Sequence, residues 1–277
     1  MAETTGIAWT DSTFNPWIGC TKVGPGCDHC YAEALDKRHR WQGATHWGVG
    51  QPRMRTSVSN WKKPLAWNRA RLKDGKTHRV FCASLADVFD NEVRPDWRWD
   101  LFDLIRATPA LTWLLLTKRI VNVQKMLDMG DAGNGGQPLP ANVWLGATVV
   151  NQEEADRDVP KLLKVAATVR FVSYEPALGP VDWEQYPGID WIIVGGESTQ
   201  GAKARFFDLR WADATIRQAG RIGAAPFVKQ LGSGHGLKDR AGADIDEWPA
   251  HLRVRDFPRA ADRTAKEAAT DRGTNAS

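Results

Sequence analysis

The sequence predicts an α/β fold: a parallel (β/α) barrel, full or partial, of about seven strands. Three observations carry that prediction. Strand-length apolar runs alternate with helix-length amphipathic segments, which implies parallel pairing through right-handed crossovers. The runs are near-continuous in Val, Ile, Leu and Trp, as at residues 111–117 and 191–194, so the sheet is expected to be covered on both faces. A polar residue stands at the C-terminal edge of each strand: Asp11, Ser84 with Asp87, Lys118 with Arg119, Thr148, Glu175, Glu197, and Lys229 with Gln230. A ring of parallel strands builds its site at that edge, whereas an open doubly wound sheet concentrates it in one crevice.

The elements follow in order. The first apolar stretch, Gly6-Ile7-Ala8-Trp9, reads as the first strand. Asn15-Pro16-Trp17 leads into a loop of turn formers, Gly19, Gly24, Pro25 and Gly26, which carries three cysteines. Residues 31–38 read as a helix that begins just after the last of them. Residues 79–84 read as a strand and 97–107 as a helix; 111–117 as a buried strand and 120–127 as a helix; 143–148 as a strand and 152–165 as a helix. Residues 169–175 and 191–196 are strands, 209–219 a helix and 226–230 the last strand. The loops 128–141 and 232–247 are long and Gly-rich and read as mobile. Residues 259–277 lack apolar periodicity and read as a disordered tail, which leaves one domain over residues 1–258.

A length of 277 residues fits one α/β barrel of roughly 250 residues. A composition of 42% hydrophobic and 25% charged residues excludes wholesale disorder and collagen-like repeats. No apolar run reaches the roughly 18 residues of a membrane span. The N-terminus lacks a basic region followed by an apolar one, so the expectation is a cytoplasmic protein with no signal peptide and no membrane partner.

The net charge of +4 says little, but its distribution is uneven. A basic, Trp-rich insertion at about residues 37–79 holds Lys37, Arg38, Arg40, Arg53, Arg55, Lys62, Lys63, Arg69, Arg71, Lys73, Lys76 and Arg79, with Asp74 as its one acid. Trp41, Trp47, Trp61 and Trp67 are interleaved with the cations. Two readings stand. The segment tracks a phosphate backbone and stacks bases, or it is a solvated face over buried tryptophans.

Cys20, Cys27 and Cys30 fall within eleven residues, and Cys82 stands alone. Disulfide frameworks belong to small secreted chains, so the cluster points to a metal or to redox chemistry. A structural zinc site needs four closed ligands, with Cys82 or His29 as the fourth. A redox pair uses Cys27 and Cys30 and leaves Cys20 idle. A 4Fe–4S cluster held by three thiolates leaves one iron open.

The three-cysteine loop after the first strand of an α/β barrel resembles the radical S-adenosylmethionine superfamily, with His29 in the ring-bearing place before the last cysteine. The spacing of six residues between Cys20 and Cys27 departs from the superfamily's commonest three. Over about residues 6–232 the chain also resembles a bacterial and phage-borne family of radical-SAM-like proteins with a three-cysteine motif and an unassigned substrate. The matching segments include Asn15-Pro-Trp-x-Gly-Cys20, Gly26-Cys-x-x-Cys-Tyr-Ala-Glu33, Ser84-Leu-Ala-Asp-Val-Phe89, Leu116-Thr-Lys-Arg119, Phe171-Val-Ser-Tyr-Glu-Pro176 and Asp190-Trp-Ile-Ile-Val-Gly-Gly-Glu-Ser198.

The resemblance implies that Cys20, Cys27 and Cys30 hold a 4Fe–4S cluster whose open iron chelates S-adenosylmethionine. An external donor supplies an electron, and the resulting 5′-deoxyadenosyl radical abstracts hydrogen from the substrate. Ser84, Lys118, Thr148, Glu175, Glu197 and Lys229 are then the S-adenosylmethionine-binding set. Glu175 or Glu197 accepts from the ribose or the ammonium, and Lys118, Arg119 or Lys229 pairs the carboxylate. Gly195-Gly196 suits close approach of backbone to a ligand. Tyr31 packs over the cluster or into the core, and Cys82 reads as a small core residue. No catalytic residue stands out. The resemblance assigns no substrate; the basic, Trp-rich segment suggests a nucleic acid base, with a peptide or a small molecule as the other candidates. The alternative is a non-enzymatic, zinc-stabilised nucleic-acid-binding protein.

Overall fold

The computed structural model describes residues 5–130, 138–198 and 204–258. In chain order the elements are β1 (Ser12–Thr13), β2 (Trp17–Ile18), α1 (Tyr31–His39), β3 (Met54–Arg55), α2 (Val58–Trp61), α3 (Lys63–Asp74), β4 (Arg79–Cys82) and α4 (Pro95–Arg106). Then come β5 (Thr112–Thr117), α5 (Ile120–Asp128), β6 (Val143–Thr148), α6 (Gln152–Lys164), β7 (Val169–Tyr174), β8 (Trp191–Gly195), α7 (Leu209–Ile222) and β9 (Ala225–Gln230). Seven strands form one parallel sheet in the order β1-β4-β5-β6-β7-β8-β9. β1 and β9 are its two edges, so the curled sheet is a partial barrel. β2 and β3 form a separate antiparallel pair.

The period of two along each strand divides the core. Val80, Trp113, Leu115, Val143, Leu145, Val172, Ile192, Val194 and Val228 face outward and pack with Leu101, Phe102, Val123, Val159 and Leu162 of the helices. Phe81, Leu114, Trp144, Phe171, Ile193 and Phe227 face the concave side, where Trp9 and Trp191 join them. Gly146 makes room there, because any side chain at that position would collide with the Phe171 ring. Continuing the concave parity from Leu114, Trp144, Phe171, Ile193 and Phe227 reaches Lys118, Thr148, Glu175, Glu197 and Lys229. The same alternation that builds the core thus aims these polar groups at the mouth.

Two expectations are corrected, and a segment left unassigned gains its structure. The first strand is Ser12–Thr13, not residues 6–9. Ile7 and Trp9 are apolar because they plug the concave face: the Trp9 ring lies 4.6 Å from Phe81 and 6.2 Å from Trp191. Asp11 therefore precedes its strand and accepts from Arg79 N at 2.7 Å, at the N-terminal edge of the sheet, away from the mouth. The basic segment contains two helices, α2 and α3, that its charge concealed. Pro64 near the start of α3 and left-handed Gly75 at its end are ordinary helix punctuation.

The loop after β9 is stitched to itself, with Leu231 N bonded to Gly242 O at 2.8 Å. Part of the other Gly-rich loop, residues 131–137, and the tail 259–277 lie outside the described residues. Among the described residues no helix is long and apolar enough to cross a membrane.

Candidate active site at the mouth of the half-barrel

The cysteine loop is built by local backbone chemistry. Gly19 adopts φ +113° and passes against the backbone of His46, a conformation and a clearance that only glycine meets easily. Its N–H bonds Leu85 O at 3.0 Å, which ties the loop to the segment after β4. Pro25–Cys27 forms a single 3-10 turn, and Cys30 caps the start of α1.

Cys20, Cys27 and Cys30 all line one cavity of about 630 Å³ at the C-terminal edge of the sheet. Ser84, Lys118, Thr148, Glu175, Glu197 and Lys229 line the same cavity. The sequence-predicted set therefore converges, apart from Asp11. Cys82 is fully buried in the outward-facing core and does not line the cavity. Burial pushes its thiol well above the usual value.

Each mouth group has a partner. Lys229 Nζ pairs with Glu175 Oε1 at 2.9 Å, and Ser173 Oγ donates to Glu175 Oε2 at 3.3 Å. Gly195 accommodates this pair, since a Cβ there would stand 2.9 Å from Glu175 Oε1. Gly196 also lines the cavity. Lys118 Nζ donates to Thr148 Oγ1 at 3.2 Å, a neutral partner. Tyr31 is exposed along part of its ring, but its hydroxyl points inward and donates to Ser84 O at 2.6 Å; burial pushes its pKa up to about 12.

Two groups expected to be free for a ligand are engaged instead. Glu197 accepts from His29 Nδ1 at 2.8 Å, from Arg205 Nη2 at 2.6 Å and from Arg205 N at 2.9 Å. Burial alone would raise its pKa, but the bonds from Arg205 and His29 outweigh it and hold the carboxyl below its ordinary value. Arg205 Nη1 reaches on to Pro25 O at 2.8 Å, so this strap clamps the cysteine loop to the end of β8. Arg119 donates from Nη1 to Cys20 Sγ at 3.3 Å and to Asp87 Oδ2 at 3.2 Å, and from Nη2 to Thr21 O at 2.7 Å.

Sequence reasoning missed Arg205, which follows a stretch of sequence with no hydrophobic pattern. It also missed a role for Asn15. The Asn15 carboxamide accepts from Leu85 N at 2.7 Å and donates to Ser84 Oγ at 3.0 Å, filling the strand-end place that Asp11 was expected to hold.

Cys20 and Cys30 are not poised as free nucleophiles. Burial, then Asp87, pushes Cys20 up to about 12 despite Arg119, and burial raises Cys30. Reactive redox cysteines are the reverse case, with lowered pKa values. A metal centre deprotonates such thiols outright. Two sulfurs on one tetrahedral zinc lie roughly 3.8 Å apart, from a Zn–S length of about 2.3 Å. Among the described residues no three His, Cys, Asp or Glu side chains gather closely enough to hold one ion. Cys82 lies outside the cavity and supplies no fourth thiolate there, and His29 Nδ1 is bonded to Glu197. Thiolates that each bind a different iron of a cluster need not meet at one point, and three cysteines around one cavity fit that arrangement.

The basic segment divides. Trp61 and Trp67 pack against the main core, with Trp61 edge-on to Phe14 at 5.6 Å and Arg55 over its face at 4.2 Å. Trp41 and Trp47 join a smaller cluster with Ile18, Ala32 and Leu85. The tryptophans are thus largely packing groups, and Trp47 alone of the four lines the cavity. Arg53, Arg55, Arg71 and Arg79 are paired with Asp90, Asp100, Asp74 and Asp11. Helix α3 runs toward the N-terminal edge of the sheet, where Trp67 meets His78 and Asn68 Oδ1 accepts from Ala110 N. Its cations therefore flank the barrel away from the mouth.

The fold and the mouth define an α/β half-barrel protein with a cysteine-lined cavity. The chain belongs to the family described as "Protein of unknown function (DUF5131)", which matches residues 4–271. No curated protein matches it. Among solved structures, a spore photoproduct lyase variant aligns with a TM-score of 0.49 at 12% identity, covering 83% of this chain and 81% of that one. A second variant of that lyase, with bound AdoMet and dinucleoside spore photoproduct, aligns with a TM-score of 0.48 at 13% identity over 79% and 76%.

Proposed function

We propose that the protein is an iron–sulfur enzyme that reductively cleaves S-adenosylmethionine and acts on a nucleic acid base. One observation carries the reading: three cysteines of one loop and a ring of strand-end polar groups surround a single cavity at the mouth of a parallel half-barrel. When bound, the cluster and S-adenosylmethionine would supply one-electron cleavage of the sulfonium carbon–sulfur bond and a radical for hydrogen abstraction.

The protein's own part is holding and shielding. Cys20, Cys27 and Cys30 hold the metal centre. Lys118, whose partner is the neutral Thr148, is the cation best placed to take the carboxylate of the cosubstrate. Glu175, steadied by Lys229, offers an acceptor for an ammonium or a hydroxyl. Ser84 and Thr148 supply hydroxyls on the same wall. The apolar floor of Ile7, Trp9, Phe81 and Leu116 keeps water from the reacting atoms. The rim cations Arg38 and Arg40 lie on or just after α1, whose Ala32 and Leu35 line the cavity, and they suit a phosphate-bearing substrate, whereas Lys37 is paired with Glu33 at 2.7 Å.

Anaerobic reconstitution tests the reading. The wild-type protein should take up four irons and four sulfides, bleach with dithionite, and release 5′-deoxyadenosine from S-adenosylmethionine. Cys20→Ala, Cys27→Ala and Cys30→Ala should each lose the cluster, while Cys82→Ala keeps it. A colourless protein with one stoichiometric zinc, or full iron retention in any of the three loop variants, would overturn it.

A further inference from the structure

Resting on the cluster reading, we propose that Arg119 is a positioning residue that sets the reduction potential of the metal centre through an N–H···S bond to Cys20. Among the described residues Cys20 is the one cysteine of the loop that takes a hydrogen bond from a cationic side chain.

The guanidinium is held on several sides. Nη2 bonds Thr21 O at 2.7 Å, Nη1 is shared between Cys20 Sγ and Asp87 Oδ2, and Nε lies 3.8 Å from Asp90 Oδ1. Asp87 is itself fixed by Thr117 Oγ1 at 2.7 Å, Lys118 N at 3.0 Å and Phe89 N at 3.0 Å. The Arg119 side chain is 9% exposed. Neither partner can swing away without breaking bonds to the ends of β4 and β5. A planar fork with several fixed donors is a task lysine cannot reproduce. A structural tether alone would need only the Asp87 and Thr21 contacts. The remaining contact is aimed at sulfur.

Hydrogen bonds to ligand sulfurs, local charge and exposure set the potentials of iron–sulfur centres. A buried cation donating to a thiolate ligand favours the reduced, more negative state and raises the potential. Removing it leaves Asp87 and Asp90 facing Cys20 without their counter-charge. Both consequences lower the potential.

The experiment compares wild type, Arg119→Gln, Arg119→Lys and the double variant Asp87→Asn/Arg119→Gln after anaerobic reconstitution. Iron, sulfide and visible absorption come first; a wild type without a cluster overturns the parent reading and this inference with it. Redox titration followed by EPR then reads the potential. Arg119→Gln should shift the reduction equilibrium at least tenfold toward the oxidised state, about 59 mV for one electron. Arg119→Lys should shift it less in the same direction, and the double variant should recover part of the loss. Clusters that load fully but titrate within twofold of wild type in both single variants overturn the inference and leave the cluster reading intact. Failure of both single variants to retain four irons assigns Arg119 a purely structural role and overturns it too.

Discussion

Replacing Glu197 by Gln and Arg205 by Met, singly and together, measures what ties the cysteine loop to the sheet. The Glu197 side chain is 7% exposed and that of Arg205 is 26% exposed. At about 4 Å between charge centres and an effective dielectric near 20, their attraction is about 4 kcal/mol before desolvation and screening. Charge-assisted hydrogen bonds contribute about 1.5–3 kcal/mol net, and the partial exposure of Arg205 keeps the pair within that range. A double-mutant cycle should therefore give a coupling of about 1.5–3 kcal/mol. For a chain of this size that is a Tm change of roughly 3–12 °C in the apoprotein, followed by circular dichroism. The pH dependence has a definite sign. The folded pKa of Glu197 lies below its ordinary 4.5, so its contribution is fully present above that value and is lost as pH falls through the folded one. The gap between wild type and Glu197→Gln should be full at neutral pH and shrink below pH 4.5. Because the strap ends on Pro25 O, beside Cys27, the variant should also reconstitute with less iron. Additive single effects, within about 0.5 kcal/mol, would refute the strap. So would unchanged apoprotein stability with weakened S-adenosylmethionine binding, the behaviour of a direct ligand.

Arg53→Met should destabilise the protein by about 3–5 kcal/mol, because it strips a 1%-exposed guanidinium from Asp90 and from the carbonyls of His46, Gly48 and Gln51. Chemical denaturation checks this, and a loss below about 1 kcal/mol would contradict the buried-pair account. For the substrate, fluorescence anisotropy with labelled single strands should show salt-sensitive binding with a log–log slope near −0.7 per phosphate contact. Neutralising Arg38 and Arg40 at the rim should abolish it, whereas neutralising Lys62, Arg69 and Lys73 on the flank should not. Binding absent at low salt, or lost only in the flank variant, would remove the rim as a nucleic-acid site.

Much of the fold was legible because parallel strands buried on both faces leave long apolar runs. The runs at 111–117, 143–148 and 191–196 coincide with β5, β6 and β8 to within a residue. The same signal misled at Ile7 and Trp9. An apolar side chain records that a residue is buried, not that its backbone joins a ladder, and these two fill the concave face from a turn. The helix α3 was hidden by the opposite effect. Its exposed cations dominate the composition, while its inner contacts are carried by Trp67, Leu65 and Asn68, too few to print a clear helical period.

The site was legible to the extent that it obeys alternation. Once a strand's inward parity is known, the polar residue that continues it past the C-terminal end must face the mouth, which places Lys118, Thr148, Glu175, Glu197 and Lys229 without reference to any neighbour. What each one does there is set by residues remote in the chain. Glu197 is committed by Arg205 and by His29, the latter 168 positions away, and Arg119 by Cys20, 99 positions away. Glu175 is held by Lys229 from β9. A one-dimensional pattern names the groups at the mouth but cannot divide them between holding the protein and holding a ligand. That division is made by contacts between elements remote in the chain: Glu197 and Arg119 hold the cysteine loop, while the Lys118 ammonium donates to the Thr148 hydroxyl.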